Sequence, residues 1–273
     1  VTSLSILARS AAKRVWYFGH RYACPVCGAT TRKRHTYSYD LDVNRQLDVV
    51  GGEFVENDDC PICYANQRIR LTYAALKAAQ LPDPGAHILH IAPELALYKS
   101  LFRGSQVHYV PADLVPGRYL NIPNVRQADI TKLPFPDASF DLLLCNHVLE
   151  HVPDDRLAMR EMRRVLKADG LAFLQVPIAT KLEATVEDPS VEDPAERERR
   201  FGQFDHIRIY SETDYVSRLR ESGFDVFVGS SAEVLGAADI AAYDLNPRER
   251  LFVAGSTEAL AKVKARWASR CAP

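Results

Sequence analysis

The sequence predicts an open, doubly wound, mostly parallel α/β sheet preceded by a small cysteine-rich module. Three observations carry that expectation. From Gln67 onward, strand-like apolar runs alternate with helix-spaced ones, the order that builds a parallel sheet covered on both faces. The run from Phe140 to Cys145 is short and almost wholly apolar, as a strand buried on both faces must be. Two Cys-x-x-Cys pairs stand ahead of the alternation. The expected division is 1–66 for an N-terminal helix and metal-binding module, and 67–273 for the sheet domain.

The elements follow in order. Leu4 to Phe18 reads as a helix, and Thr36 to Val55 as a polar, strand-like stretch between the cysteine pairs. Arg68 to Gln80 places Leu71, Ala75 and Leu76 on one helical face, and Leu81-Pro82-Asp83-Pro84-Gly85 ends it. Ile88 to Ile91 is the first strand, Glu94 to Phe102 a helix, and Val107 to Val110 the second strand. After the Phe140–Cys145 strand, Asp154 is a suitable N-cap for a helix through Leu166. Gly170 suits the left-handed position that closes it. Leu171 to Val176 is a strand, Lys181 to Arg200 either a mobile loop over the acceptor site or a solvated insertion, and Glu212 to Glu221 a helix. Strands near Phe224 to Val228 and Leu251 to Ala254 finish the pattern. Ligands of such sheets bind beyond the carboxyl ends of the strands.

The cysteines read as a metal site. Cys24 and Cys27 (CPVCG) and Cys60 and Cys63 (CPIC) supply four thiolates whose spacing lets each pair curl around one ion. Structural zinc in a ribbon-like module is favoured over a redox pair, which would stand alone at a helix start, and over two disulfides. Cys145, at the end of an apolar strand, reads as a small core residue.

A chain of 273 residues with 47% hydrophobic and 25% charged residues has ordinary globular composition. The net charge of −1 hides an acid-free stretch, Val1 to His35, carrying Arg9, Lys13, Arg14, Arg21, Arg32, Lys33 and Arg34. That stretch suits phosphate or an acidic surface, or else a solvated face balanced by the acids that follow. No apolar run approaches the roughly 20 residues of a membrane span. No signal-peptide core stands out either, although an acid-free start is compatible with a transit peptide. A cytoplasmic location is the default expectation.

FPDASFDLLLCNHVLEHVPDD (Phe135 to Asp155), followed by RVLKADG (Arg164 to Gly170), resembles the class I S-adenosylmethionine-dependent methyltransferases of the small-molecule, type 11-like group. The likeness spans roughly 67 to 230 and implies a Rossmann-like sheet of seven strands. The family's first motif, D-x-G-x-G-x-G, falls on His90, Ala92, Glu94 and Ala96: the acid is histidine and every glycine is gone. Glycine permits close backbone approach and positive φ, whereas Pro93 fixes a negative φ, so the cofactor's methionine end meets a differently shaped loop. Glu94 either receives the cofactor's ammonium or stabilises a helix N-terminus. A zinc-knuckle group with the same IAPE variant, often associated with glycan pathways, is similar here. The resemblance implies Asp113 for the ribose hydroxyls, Asp129 for the adenine amino group with Ile130 and Ala128 beside the ring, and Asn146 and His147 near the transferred methyl.

A sulfonium methyl is already activated, so transfer needs alignment and exclusion of water. A hydroxyl acceptor also benefits from a base. His206 is the first choice, flanked by Asp205 to orient its imidazole and Arg208 to grip an acidic group of the acceptor, with His147 and His151 as alternatives, although His151 reads more readily as a loop-ordering residue. The expected function is O-methylation of a saccharide or similar small polar metabolite. One alternative is methylation of an RNA base, since some ribosomal RNA methyltransferases also carry a zinc module. A second is an inactive binding protein of this fold. Retained Asp113 and Asp129 speak against the last.

Overall fold

The computed structural model describes residues 11–36 and 40–270. Helix α1 occupies 11–17, and the remainder of the expected first helix up to residue 10 lies outside the described residues, as does Cys271. Strand β1 (Phe18–Ala23) pairs antiparallel with β2 (Thr30–Thr31) around the first cysteine turn. The stretch expected to be strand-like instead forms helix α2 (Asp42–Gln46) and the short β3 (Val49–Val50). β3 is buried and pairs antiparallel with a distant partner, β9 (Ile178–Ala179).

Helix α3 (Gln67–Ala78) starts at Asn66, whose side chain accepts the Ile69 N–H. It is followed by β4 (His87–Ile91), α4 (Leu95–Leu97, continued as a π turn through Phe102), β5 (His108–Asp113), β6 (Arg126–Gln127) and β7 (Phe140–Asn146). Asp154 caps α5 (Asp155–Val165) through the Leu157 N–H, as its residue type dictates. The chain then turns directly into β8 (Leu166–Gln175). Gly170 therefore lies within a strand, not at a helix cap. A side chain there would sit 2.9 Å from Leu166 and 3.0 Å from the Phe140 carbonyl, so close packing is what requires glycine.

Residues 181–200, expected as a loop, contain β10 (Val186–Glu187) and the start of α6 (Pro194–Phe201). Asp193 followed by proline at the first helical position supplies a cap for α6. β10 pairs with β11 (Arg208–Ile209). The chain ends with α7 (Glu212–Glu221), β12 (Asp225–Ser230), α8 (Ser231–Tyr243, kinked at Gly236), β13 (Arg250–Gly255) and α9 (Thr257–Arg270).

Seven strands form one sheet in the order β12, β13, β8, β7, β4, β5, β6, with only β13 antiparallel to its neighbours. The period of two along each strand divides the core. Leu89, Ile91, Leu143, Cys145, Ala172 and Leu174 meet α5 and α7 on one face. Ile88, Leu142, Leu144, Phe173 and Val253 meet α3, α8 and α9 on the other. This is the doubly wound architecture expected from the alternation.

The cysteine module is tied onto the sheet domain. Arg70 of α3, fully buried, donates to the Asp58 and Ala65 carbonyls and to the Asp58 carboxylate on the module side, and to the Tyr243 and Asp244 carbonyls at the end of α8. Arg34 repeats this with the Ala23 carbonyl and the Asp244 carboxylate.

Candidate functional site

The carboxyl ends of β4, β5 and β7 open onto a cavity of about 680 Å³ whose walls include Ala92, Asp113, Asp129, Ile130, His147 and His151. A second cavity of about 220 Å³ shares Ala92 and His147 with it and adds Arg68, Glu94 and Asn146. Most sequence-expected site residues are thus brought together. His90 and Pro93 are buried behind the walls, and His206 is buried out of line with both cavities.

The turn after β4 explains how the missing glycines are tolerated. Ala92 adopts φ 48°, the left-handed conformation usually left to glycine, and its N–H donates to the Ala112 carbonyl at 2.9 Å. His90 points away from the cavity. Its Nδ1 lies 3.0 Å from the Tyr109 hydroxyl and its Nε2 2.5 Å from Glu94 Oε2. Burial first, then Glu94, pushes the Tyr109 hydroxyl well above its ordinary range, so it remains a donor. Glu94, a carboxylate, accepts from the His90 Nε2–H. Asn146 Nδ2 donates to the other Glu94 oxygen at 2.9 Å. Burial favours protonated Glu94, but His90 and Asn146 outweigh it and hold the carboxyl below its usual range. A carboxylate thus stands at the cavity wall four residues after the position where the motif's acid was expected.

Asp113, at the end of β5, accepts from the Val115 N–H at 2.7 Å and from the Tyr119 hydroxyl at 2.8 Å. Asp129 is held by the backbone N–H and hydroxyl of Thr131 at 2.8 and 2.7 Å, which lower its pKa. Both carboxylates line the large cavity, with Ala128 and Ile130 beside Asp129.

His147 also takes a positive φ, 54°. Arg68 Nη1 lies 2.8 Å from its Nδ1. A guanidinium can only donate, so Nδ1 accepts and the proton resides on Nε2. Burial and then Arg68 drop the His147 pKa to about 4. His147 is thereby a neutral donor, an arrangement unsuited to a base. Its Nε2 has no partner, and neither does Asn146 Oδ1.

Behind the large cavity lies a cluster the sequence did not assemble. His151 Nδ1 is 3.2 Å from the Asp205 carbonyl, and His206 Nδ1 is 3.1 Å from the Phe201 carbonyl. The two rings meet edge to face at 4.7 Å. Both surround Glu150, which is 1% exposed and has neither oxygen hydrogen-bonded. Asp205, expected to orient His206, instead faces His151, with its carboxylate 3.6 Å away. Arg208, expected to face the acceptor, is buried against the Leu149, Val152 and Pro153 carbonyls and Glu187. Glu150 stood in plain view in the LEH stretch, but only the fold brings His206 to it, 56 residues on.

In the module, Cys24 Sγ lies 3.7 Å from Cys63 Sγ and Cys27 Sγ 3.8 Å from Cys60 Sγ. Disulfides, with sulfurs about 2.05 Å apart, are not formed. A tetrahedron with bonds of about 2.3 Å has edges of about 3.8 Å, so the donor set fits zinc. The two turns are alike: Gly28 and Tyr64 both take positive φ and return N–H groups to the Cys24 and Cys60 carbonyls.

Residues 101–174, from the end of the turn after α4 through most of β8, match the methyltransferase domain family. The match begins after the His90–Ala96 turn and so leaves it out. Two relatives extend that likeness. A 27-O-demethylrifamycin SV methyltransferase of Amycolatopsis mediterranei is 38% identical over 36% of this chain and 34% of its own. An uncharacterized methyltransferase, YcgJ, of Bacillus subtilis is 35% identical over 34% of this chain and 36% of its own. The chain thus spans about a third of the length of the curated relatives it matches. Among solved structures, a complex of the Haloferax volcanii Trm112 methyltransferase activator with a methyltransferase aligns over 68% of this chain and 90% of the other. Its identity is 17% and its TM-score 0.46, too loose a likeness to bear on the site. The family match and the relatives support an enzyme of the class I S-adenosylmethionine-dependent methyltransferase kind. Among the described residues, no helix is long and apolar enough to cross a membrane.

Proposed function

We propose that this chain transfers the methyl group of S-adenosylmethionine to a hydroxyl of a saccharide or similar small polar metabolite. The observation that carries the reading is the placement of Asp113 and Asp129 at the ends of neighbouring strand segments in one cavity, which joins a smaller polar cavity at Ala92 and His147. Asp113 receives the ribose hydroxyls. Asp129 receives the adenine amino group, with Ile130 against the ring. Glu94 receives the methionine ammonium, and Asn146 and His147 offer unpartnered polar atoms where the methyl is presented. The cofactor supplies an activated methyl. The chain must align the acceptor, exclude water and remove one proton. The acceptor oxygen forms the new C–O bond as the C–S bond breaks, leaving a thioether and a methyl ether. Proton loss is assisted at the wall that carries His151, because His147 is fixed as a donor. A relative named for methylating an oxygen is in keeping with a hydroxyl acceptor.

The four cysteines hold a structural zinc in this reading, since their closed set leaves no open position. The domain division at 66/67, with the module as a docked N-terminal unit, is part of the same proposal. An RNA acceptor is the second reading, favoured by the exposed Trp16 with Arg32 over its ring at 5.4 Å.

Two measurements test the function. Calorimetric titration with S-adenosylhomocysteine should show micromolar or tighter binding, and absence of binding would leave a binding protein of this fold. Labelled methyl transfer should then appear on a saccharide panel. Transfer confined to RNA and falling steeply with salt would move the assignment to nucleic acid.

A further inference from the structure

We propose that Glu150, His151 and His206 hold a divalent first-row transition metal at the inner wall of the large cavity, and that this ion binds and acidifies the acceptor hydroxyl. The proposal rests on the methyltransferase reading above for the ion's role, but not for its presence.

The first observation is the carboxylate. Glu150 is all but fully buried, and neither oxygen has a hydrogen-bond partner. The ionisable nitrogens beside it are His147 Nδ1 at 3.4 Å and His206 Nε2 at 4.0 Å. His147 Nδ1 is occupied by Arg68 and brings no proton to it. A distance of 4.0 Å is too long for a hydrogen bond. An unpaired buried carboxylate is strongly disfavoured, so a positive partner is called for.

The second observation is independent of the first. Each imidazole has Nδ1 against a backbone carbonyl, Asp205 for His151 and Phe201 for His206. A carbonyl only accepts, so Nδ1 carries the proton in both rings and each Nε2 is left as a lone pair. Histidine metal ligands are held in this way, with the remote N–H fixed on a carbonyl or carboxylate. For His206 that lone pair faces the Glu150 carboxylate directly, two electron-rich atoms with no proton between them.

One ligand atom from each of the three residues lies within 4.8 Å of the others. Bonds of about 2.0–2.2 Å require these atoms to close by about an ångström. His151 can supply most of that, since its side chain is 30% exposed. The donor set, two imidazoles and one carboxylate, suits zinc, iron(II) or manganese(II) and differs from the all-sulfur module. It also leaves coordination positions open, and His151 directs them to the cavity. An acceptor hydroxyl placed there has its pKa lowered by the cation. Its proton leaves to water at the cavity mouth, and its oxygen is free to attack the sulfonium methyl.

The test counts zinc. Wild type equilibrated with micromolar zinc sulfate and desalted should carry two zinc ions per chain by elemental analysis, and Glu150→Gln only one. Gln keeps the side chain's volume, and a thermal melt checks folding. If that variant does not fold, His151→Ala at the half-open cavity wall should also carry one. One ion in both wild type and variant, the pattern of a water-bridged or protonated cluster, overturns the proposal, and so do two ions in both. The count is independent of methyl transfer. Loss of S-adenosylhomocysteine binding in wild type would remove the function and leave the metal count to stand. With both in place, Glu150→Gln should bind S-adenosylhomocysteine within about threefold of wild type while methylation of a hydroxyl acceptor falls at least a hundredfold.

Discussion

Replacing Glu94 by glutamine separates its two readings, cofactor contact and local scaffold. Its Oε2 accepts from His90 at 2.5 Å and its Oε1 from Asn146 at 2.9 Å. In Glu94→Gln the amide oxygen can still accept from His90. The new NH₂ would face the Asn146 NH₂, two donors nose to nose. Asn146 Oδ1 has no partner, however, so a flip of that amide restores acceptance. The fold then loses only the difference between a charged and a neutral acceptor, about 1 kcal/mol. The cofactor's ammonium loses a charged partner, about 1.5–3 kcal/mol, which weakens binding by about ten- to a hundredfold. Glu94→Ala behaves differently. It strands His90 and Asn146 in the interior and should cost about 3–5 kcal/mol of stability. Calorimetry with S-adenosylhomocysteine and thermal melts on both variants read these quantities. If Glu94→Gln binds within twofold of wild type while its Tm falls slightly, Glu94 is scaffold alone. A melt as depressed as that of Glu94→Ala would refute the amide-flip argument.

Other expectations are briefer. Asp113→Asn should weaken S-adenosylhomocysteine by about ten- to a hundredfold, and unchanged affinity would take Asp113 out of the site. Cys60→Ser should abolish the sulfur-to-metal absorption of cobalt-substituted protein and lower Tm, because Cys60 is 1% exposed and packs against Ala65 and Ala96. A retained band would disprove a four-sulfur site. Glu249 is buried, and burial first and Glu53 second raise its pKa to about 8. Its native form is therefore protonated at pH values where the unfolded chain is ionised. Native stability should fall as pH rises from about 4.5 to 8, by on the order of 5 kcal/mol in all, and level off above. Glu249→Gln should flatten that decline in pH-dependent melts, and an unchanged slope would show that Glu249 is ionised in the fold.

Much of the sheet was legible because buried strands must be apolar and turns must be chemically marked. The Phe140–Cys145 run, the Asp154 cap and the Glu212–Glu221 helix all lie where their residues place them. Gly170 was misread because glycine serves both caps and close contacts, and only tertiary packing decides between them. Helices α8 and α9 went unread, although Ser230 and Glu233 form a capping box at the start of α8. In the site, residues on strand ends could be ordered from sequence alone. The roles of His147 and His206 could not, since each depends on a partner remote in the chain: Arg68 at 79 residues for one, Glu150 at 56 for the other.

The pairing of β3 with β9 gives the chain an evolutionary constraint. A boundary at residue 66 looks like a place where nature could cut and splice. Yet Arg68, which fixes the His147 proton, also donates to the Gly51 carbonyl at 3.2 Å, one residue beyond β3. Arg70 draws its module-side partners from Asp58 and Ala65. A module borrowed from another protein would leave these arginines without the module-side acceptors that fix their register. The two halves should therefore be inherited together, and chimaeras joined at 66/67 should fail unless both come from the same parent.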